Sequence, residues 1–276
     1  MPVELPAPDR TTLEKTPLQL VVCQVRFDEA EALSDRKTAR RFFDKLGGVS
    51  GPFPKFSQIH TQRITINAEA LPGDTPITAQ QRGWRFSSSE DDCHVVLLPG
   101  SLAVETSTYR SWDEFAPCLQ LALDVLAREV EPAIEQRLGL RFVNLILLDE
   151  VHDATGWNGY IAADLLAPGQ HPVLGPGVVA AQHRVVLDLG DQLRCVLNYG
   201  LAPDANDPGR IGYVLDLDVF WERSAPFSAA EVFKASELMN ERAVSLFQQV
   251  TTPELRTLLR GEEGGEKGAA SDRRRS

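Results

Sequence analysis

Apolar and polar residues alternate along Leu18–Phe27 (LQLVVCQVRF). Val21, Cys23, Val25 and Phe27 share one side, with Gln24 and Arg26 on the other, and this period of two predicts a β-strand with one covered face. Ser34 reads as the N-cap of a helix reaching about Leu46, stopped by Gly47-Gly48. After the loop GVSGPFP, short strands are expected at about 57–68, 84–88, 94–98 and 102–106, separated by turn-rich pieces such as LPGDTP and SSEDD. Pro99-Gly100 marks a tight hairpin between the last two.

The period then changes. Trp112, Phe115, Leu119, Ala122 and Leu126 form one helical stripe behind Ser111-Trp-Asp-Glu114. That tetrapeptide is a capping box, in which the serine oxygen takes the Glu114 amide proton. Pro132 is expected to kink this helix or to start a second segment ending near Gly139. Residues 140–148 (LRFVNLILL) are nearly all apolar and suit a central strand covered on both faces. The Gly- and Pro-rich stretch 150–177 reads as a boundary or long crossover. Strands return at about 178–189, 193–199 and 211–221, and a helix fills about 228–250.

The pattern therefore predicts an α+β fold: mostly antiparallel sheet, with long amphipathic helices packed on one side. It divides the chain into an extended Pro-rich arm (1–16), a first half (17–150), a second half (151–260) and a disordered tail (261–276). The halves echo each other. The strand SLAVETSTY leads into SWDEF and a helix, and GYVLDLDVFW leads into SAAEVF and another. Duplication accounts for this, and so does the coincidence of two common Ser-x-x-Glu caps.

Charge narrows the choice of partners. The 276 residues carry a net charge of −11, with 28 basic against 39 acidic side chains. Such a field repels phosphate backbones and weighs against nucleic acid as a partner. No run is long and apolar enough for a membrane span, and MPVELPAPDR lacks a signal-peptide pattern. Cys23, Cys93, Cys118 and Cys195 show no C-x-x-C, so reduced thiols in a cytoplasmic protein are expected.

The segments PLQLVVCQVRF, VVLLPGSLAVETSTYRSWDEF, RLGLRFVNLI and LDLDVFWE, taken as a set, resemble a sporadically distributed bacterial family of about this length. Its members have no established activity. The resemblance covers about residues 13–260, leaving the Pro-rich arm and the Arg-rich end outside it. It implies a cytoplasmic, accessory-type bacterial protein and supplies no catalytic residues.

Candidate chemistry is sparse. Asp216 and Asp218 alternate on one strand with Val214 and Phe220, so both carboxylates face one side. They could hold a divalent cation or form the wet face of a sheet. Arg137 is expected in the last turn of a helix before Gly139, and Asn144 lies between Phe142 and Ile146 on one strand face. If Arg26, Arg141 and Asn144 converge, they make an anion-reading cluster; internal pairing with acids is the ordinary alternative. Arg36, Lys37, Arg40, Arg41 and Lys45 form a basic stripe that could dock an anionic partner or simply be solvated. Trp157, Asn158 and Tyr160, inside the crossover, either anchor a partner or plug the core beneath the loop.

The G-x-S-x-G elbow, the phosphate loop, the dinucleotide fingerprint and H-E-x-x-H are all missing from the sequence. Accordingly no catalytic residue, metal or cofactor is assigned. The leading expectation is a non-enzymatic binding or interaction protein with a protein partner, with room for self-association. The alternative is a small-molecule enzyme or ligand-binding protein with a pocket between helix and sheet. A deep pocket with convergent polar groups would favour the alternative. A shallow exposed apolar patch would favour the first reading.

Overall fold

A computed structural model describes residues 1–65, 77–204, 207 and 209–261 of the chain. The expected turn LPGDTP, the far end of the 57–68 strand and the tail past Gly261 lie outside these residues. Among the described residues nine strands form one antiparallel sheet with helices, an α+β architecture. The first half contributes β1 (Leu18–Phe27), α1 (Arg36–Lys45), β2 (Lys55–Thr65), β3 (Ile77–Ser87), β4 (Cys93–Leu98), β5 (Ser101–Thr106) and α2 (Trp112–Glu129). β6 (Ile134–Ile146) follows α2, short of the boundary expected near residue 150, and beyond that boundary come β7 (Ala181–Gly190), β8 (Leu193–Pro203), β9 (Ile211–Pro226), α3 (Ala229–Val250) and α4 (Pro253–Leu259).

The spatial order is β2-β3-β4-β5-β1-β6-β9-β8-β7. β1 and β6 thus stand at the centre; β2 to β5 return to β1 as a meander from one edge, and β7 to β9 return to β6 from the other. β1 and β6 meet antiparallel, with Val21 opposite Phe142 and Cys23 opposite Leu140. Residues at these positions share one face with Leu102, Val104, Leu217 and Val219, and all are buried. Against this face pack α2, through Phe115, Leu119, Ala122 and Leu126, and α3, through Val232, Met239, Ala243 and Leu246. All four cysteines are free.

The Ser111 cap is present, its Oγ accepting from the Glu114 amide at 3.3 Å, and Ser228 repeats it with Glu231 at 3.4 Å. Two local expectations need correction. The helix expected from Ser34 starts at Arg36, with Asp35 as N-cap and a 3-10 turn over Glu31–Ser34. That turn buries Leu33 and aims its carbonyl at the Trp84 indole N–H, 2.7 Å away. The second correction concerns Pro132 to Gly139, expected as helix. α2 ends at Glu129, and Gly139 sits inside β6 rather than at a helix end. The guanidinium of Arg137 lies over it, so a β-carbon there would come within 2.7 Å of Nη1. A glycine in a strand marks this kind of close approach. Arg137 is accordingly a strand residue.

Candidate functional site

The sheet has two unlike faces, and the candidate residues divide between them. Arg26, Arg141, Asp216 and Asp218 lie on the face turned away from the helices. Asp216 is buried, and Arg141 grips it with both forks, Nε to Oδ1 at 2.7 Å and Nη2 to Oδ2 at 2.8 Å. Asn198 donates a third bond to Asp216 at 2.9 Å. These bonds hold the Arg141 proton more firmly, raising its already high pKa. Asp218 takes a bond from Arg137 at 2.9 Å, and Arg137 also stacks over Phe220. The two aspartates are therefore engaged by arginines, and no cluster of three or more metal-ligating side chains occurs among the described residues.

Arg26 stands apart, lining a polar hollow of about 420 Å³ with Gln24, Thr61, Gln81 and Gln136. The basic stripe of α1, including Arg36 and Arg40, is exposed; Arg40 pairs with Asp44 at 3.2 Å and lies over the Phe43 ring. Trp157 is fully buried against Tyr213, ring centroids 5.5 Å apart, so it plugs the core beneath the crossover. Asn158 is exposed, and the half-buried Tyr160 donates to Glu150 at 3.1 Å.

Asn144 belongs to the helix-covered face. It is 3% exposed, and its Nδ2 donates to the Leu215 carbonyl at 3.0 Å. Above it opens a cleft of about 530 Å³, within the size range of small-molecule sites. Leu18, Phe142, Asn144 and Leu217 form the floor, contributed by β1, β6 and β9. Leu238, Val244 and Phe247 of α3 form one wall, and Tyr109 and Trp112 at the start of α2 form the other. The Tyr109 hydroxyl donates to Asn240 Oδ1 at 3.4 Å, and burial, with Asp113 adding to it, raises the phenol's pKa above its ordinary value.

The N-terminal arm roofs this cleft. Val3 N donates to the Asp188 carbonyl of edge strand β7, and Ser245 of α3 donates to the Pro6 carbonyl, both at 2.7 Å. Asp9 is held by main-chain bonds to Gln248 and by Arg260 at 3.0 Å, and Arg10 pairs with Glu241 at 2.6 Å. Bonds from Thr11 hold the Asp9 carboxyl below the usual carboxylate range, with Arg260 adding to the effect. Arg256 closes the far end, donating to the Gln248 and Thr251 carbonyls at the end of α3.

Sequence reasoning selected Asn144 but not the arm, Tyr109, Trp112 or Gln248. The apolar residues Leu5 and Leu13, which pack on the core from the Pro-rich arm, were the available signal. It also passed over Glu135, which is fully buried and accepts from Trp221 Nε1 at 2.8 Å and Arg223 Nε at 3.3 Å. No family model matches the chain, and none of the curated proteins matches it.

Proposed function

We propose that the protein is a non-enzymatic binding protein that houses a small organic molecule between α2, α3 and the sheet, under its N-terminal arm. One observation carries this reading: a cleft of about 530 Å³ with Phe142 and Leu217 in its floor and a buried amide, Asn144, between apolar neighbours. An apolar floor beneath polar and charged walls, contributed by the arm, α3 and the start of α2, can hold a small molecule that carries polar groups of its own. The paired aspartates of the other face support a structural rather than a chemical role there.

The test is binding of N-phenyl-1-naphthylamine, an apolar fluorophore that brightens on leaving water. The wild-type protein should saturate with one equivalent. Val244→Trp, which fills the cleft from a half-buried position on α3, should bind none while keeping the wild-type melting temperature. Equal binding by both proteins would contradict the reading.

A protein-partner surface is the second reading. Val173, Leu174 and Val179 favour it, being 79%, 59% and 72% exposed on and after the crossover. Crosslinking in the host that captures a partner at this segment, and loses it in Val179→Asp, would support it. Either role suits the accessory, cytoplasmic bacterial protein that the resemblance of its strand sequences implies.

We also infer that two units, β1 to α2 and β6 to α3, are related by duplication, with the boundary between α2 and β6 and not near residue 150. The central pairing of β1 with β6, the flanking positions of β5 and β9, and the Ser-capped helix after each of these support it.

A further inference from the structure

We propose that the cleft selects an amphipathic carboxylate, whose anionic head lies against Arg256 of α4 and Arg260 at its end, and whose chain follows the apolar floor toward Trp112. The proposal rests on the cleft being a ligand site and names the class of ligand it selects. Both arginines line the cleft one helical turn apart, and both are half-buried. Arg260 donates from Nη2 to Asp9 at 3.0 Å, while its Nε is buried and meets no acceptor among the described residues. Arg256 commits Nη1 to the carbonyls of Gln248 and Thr251, which take its protons but leave its charge unbalanced. Within ion-pair distance the described residues offer these two cations one carboxylate, that of Asp9. A buried donor without an acceptor, beside an uncompensated charge, is satisfied by an anion brought from outside.

The other charges of the cleft decide where the head sits and how much charge it carries. Arg10 is paired with Glu241 at 2.6 Å, so Arg256 and Arg260 against Asp9 leave this end with one positive charge in excess, the match of a monoanion. Burial, and after it the neighbouring Arg260, lowers the Arg256 pKa, as two cations held close require. Glu254, also on α4, is exposed and does not line the cleft. At the opposite end Trp112, its ring centroid 6.3 Å from that of Phe233, has a buried Nε1 with no acceptor among the described residues. Arg110 and Lys234 there are accompanied by Asp113 and Glu237, all exposed, so these charges balance and water screens them. That end suits a neutral oxygen and does not compete for the anion. Between Phe233 and Gln248 the α3 wall runs about 22 Å at 1.5 Å per residue, room for an extended chain over Phe142 and Leu217.

Isothermal titration with four decyl compounds tests this: decanoate, decanol, decylammonium and decyl phosphate. Decanoate should bind about tenfold more tightly than decanol, the scale of a charge-assisted hydrogen bond at a half-buried site, and decylammonium should bind most weakly. Decyl phosphate, close to a dianion at about pH 8, should not exceed decanoate. In Arg260→Gln decanoate should fall to the level of decanol, whose own binding is retained. Should that variant not fold, the wild-type order decides. Decanoate and decanol binding alike in the wild type, or decanoate unaffected in a folded Arg260→Gln, would overturn the assignment of the head while leaving the cleft reading intact. Tightest binding of decylammonium or of decyl phosphate would also overturn it. Failure of all four to bind would overturn the cleft reading itself.

Discussion

The side-chain amide of Gln248 pairs with the main chain of Asp9 in both directions, accepting from its N–H at 3.0 Å and donating to its carbonyl at 2.7 Å. One α3 residue thus does for the arm what a neighbouring strand does in a sheet, and holds it across the cleft. Gln248→Leu keeps the bulk and removes both bonds. It should lower the free energy of arm opening by about 1–2 kcal/mol, the worth of two partly exposed hydrogen bonds. Hydrogen exchange at residues 3–10 should quicken about tenfold while α2 and β6 stay protected. Unchanged exchange in the arm would mean that other contacts hold it.

Asp216 is nearly buried, whereas the side chain of its partner Arg141 is 48% exposed. Solvent screening reduces the pair's worth below the roughly 3–5 kcal/mol typical of removing one member of a fully buried pair. Asp216→Ala should cost about 2 kcal/mol by urea denaturation, and the cycle with Arg141→Ala should show a coupling of about 1 kcal/mol. EDTA should leave the melting temperature unchanged. A chelator-induced fall reversed by one metal would give the aspartates a different role.

Ser111 and Ser228 each accept the amide proton of a glutamate three residues on. Replacing either by alanine should cost on the order of 1 kcal/mol, and the two losses should add, since the caps share no hydrogen bond. An unchanged urea midpoint in Ser111→Ala would remove the cap from the stability of α2.

Cys93 on β4 and Cys118 on α2 face each other. Their interaction lowers the pKa of Cys118 to about 7 and, with burial, pushes that of Cys93 up. The thiolate of Cys118 therefore forms as pH rises through about 7, not through the ordinary 9.0. Alkylation of Cys118 by iodoacetamide should accelerate across that range, and Cys93→Ala, which removes the neighbouring thiol, should move the inflection upward. Alkylation rising only above pH 9 in the wild type would contradict this pairing.

Local chemistry was legible in the sequence where neighbours in the chain decide it. Alternation along Leu18–Phe27 gave β1 with its covered face, and the Ser-x-x-Glu pairs gave the starts of α2 and α3. The reading failed where tertiary contacts decide. Gly139 resembles a helix stop until Arg137 is seen lying over it, and Ser34 resembles a cap until Leu33 is seen committed to Trp84. Asn144 could be singled out because an amide amid alternating apolar residues needs partners. Its separation from Arg141, by contrast, follows from strand parity: three residues apart in a strand means opposite faces. The cleft could not be read because its roof and floor are brought together by the fold: Asp9 meets Gln248 across 239 positions.

The most direct measurement is native mass spectrometry of the protein isolated gently from its own host. A bound organic molecule of roughly 150–500 daltons, the size such a cleft encloses, should appear at one per chain. Val244→Trp prepared in the same way should appear at its bare mass. A bare wild-type protein, or an adduct that persists in Val244→Trp, would contradict a ligand site between α3 and the sheet.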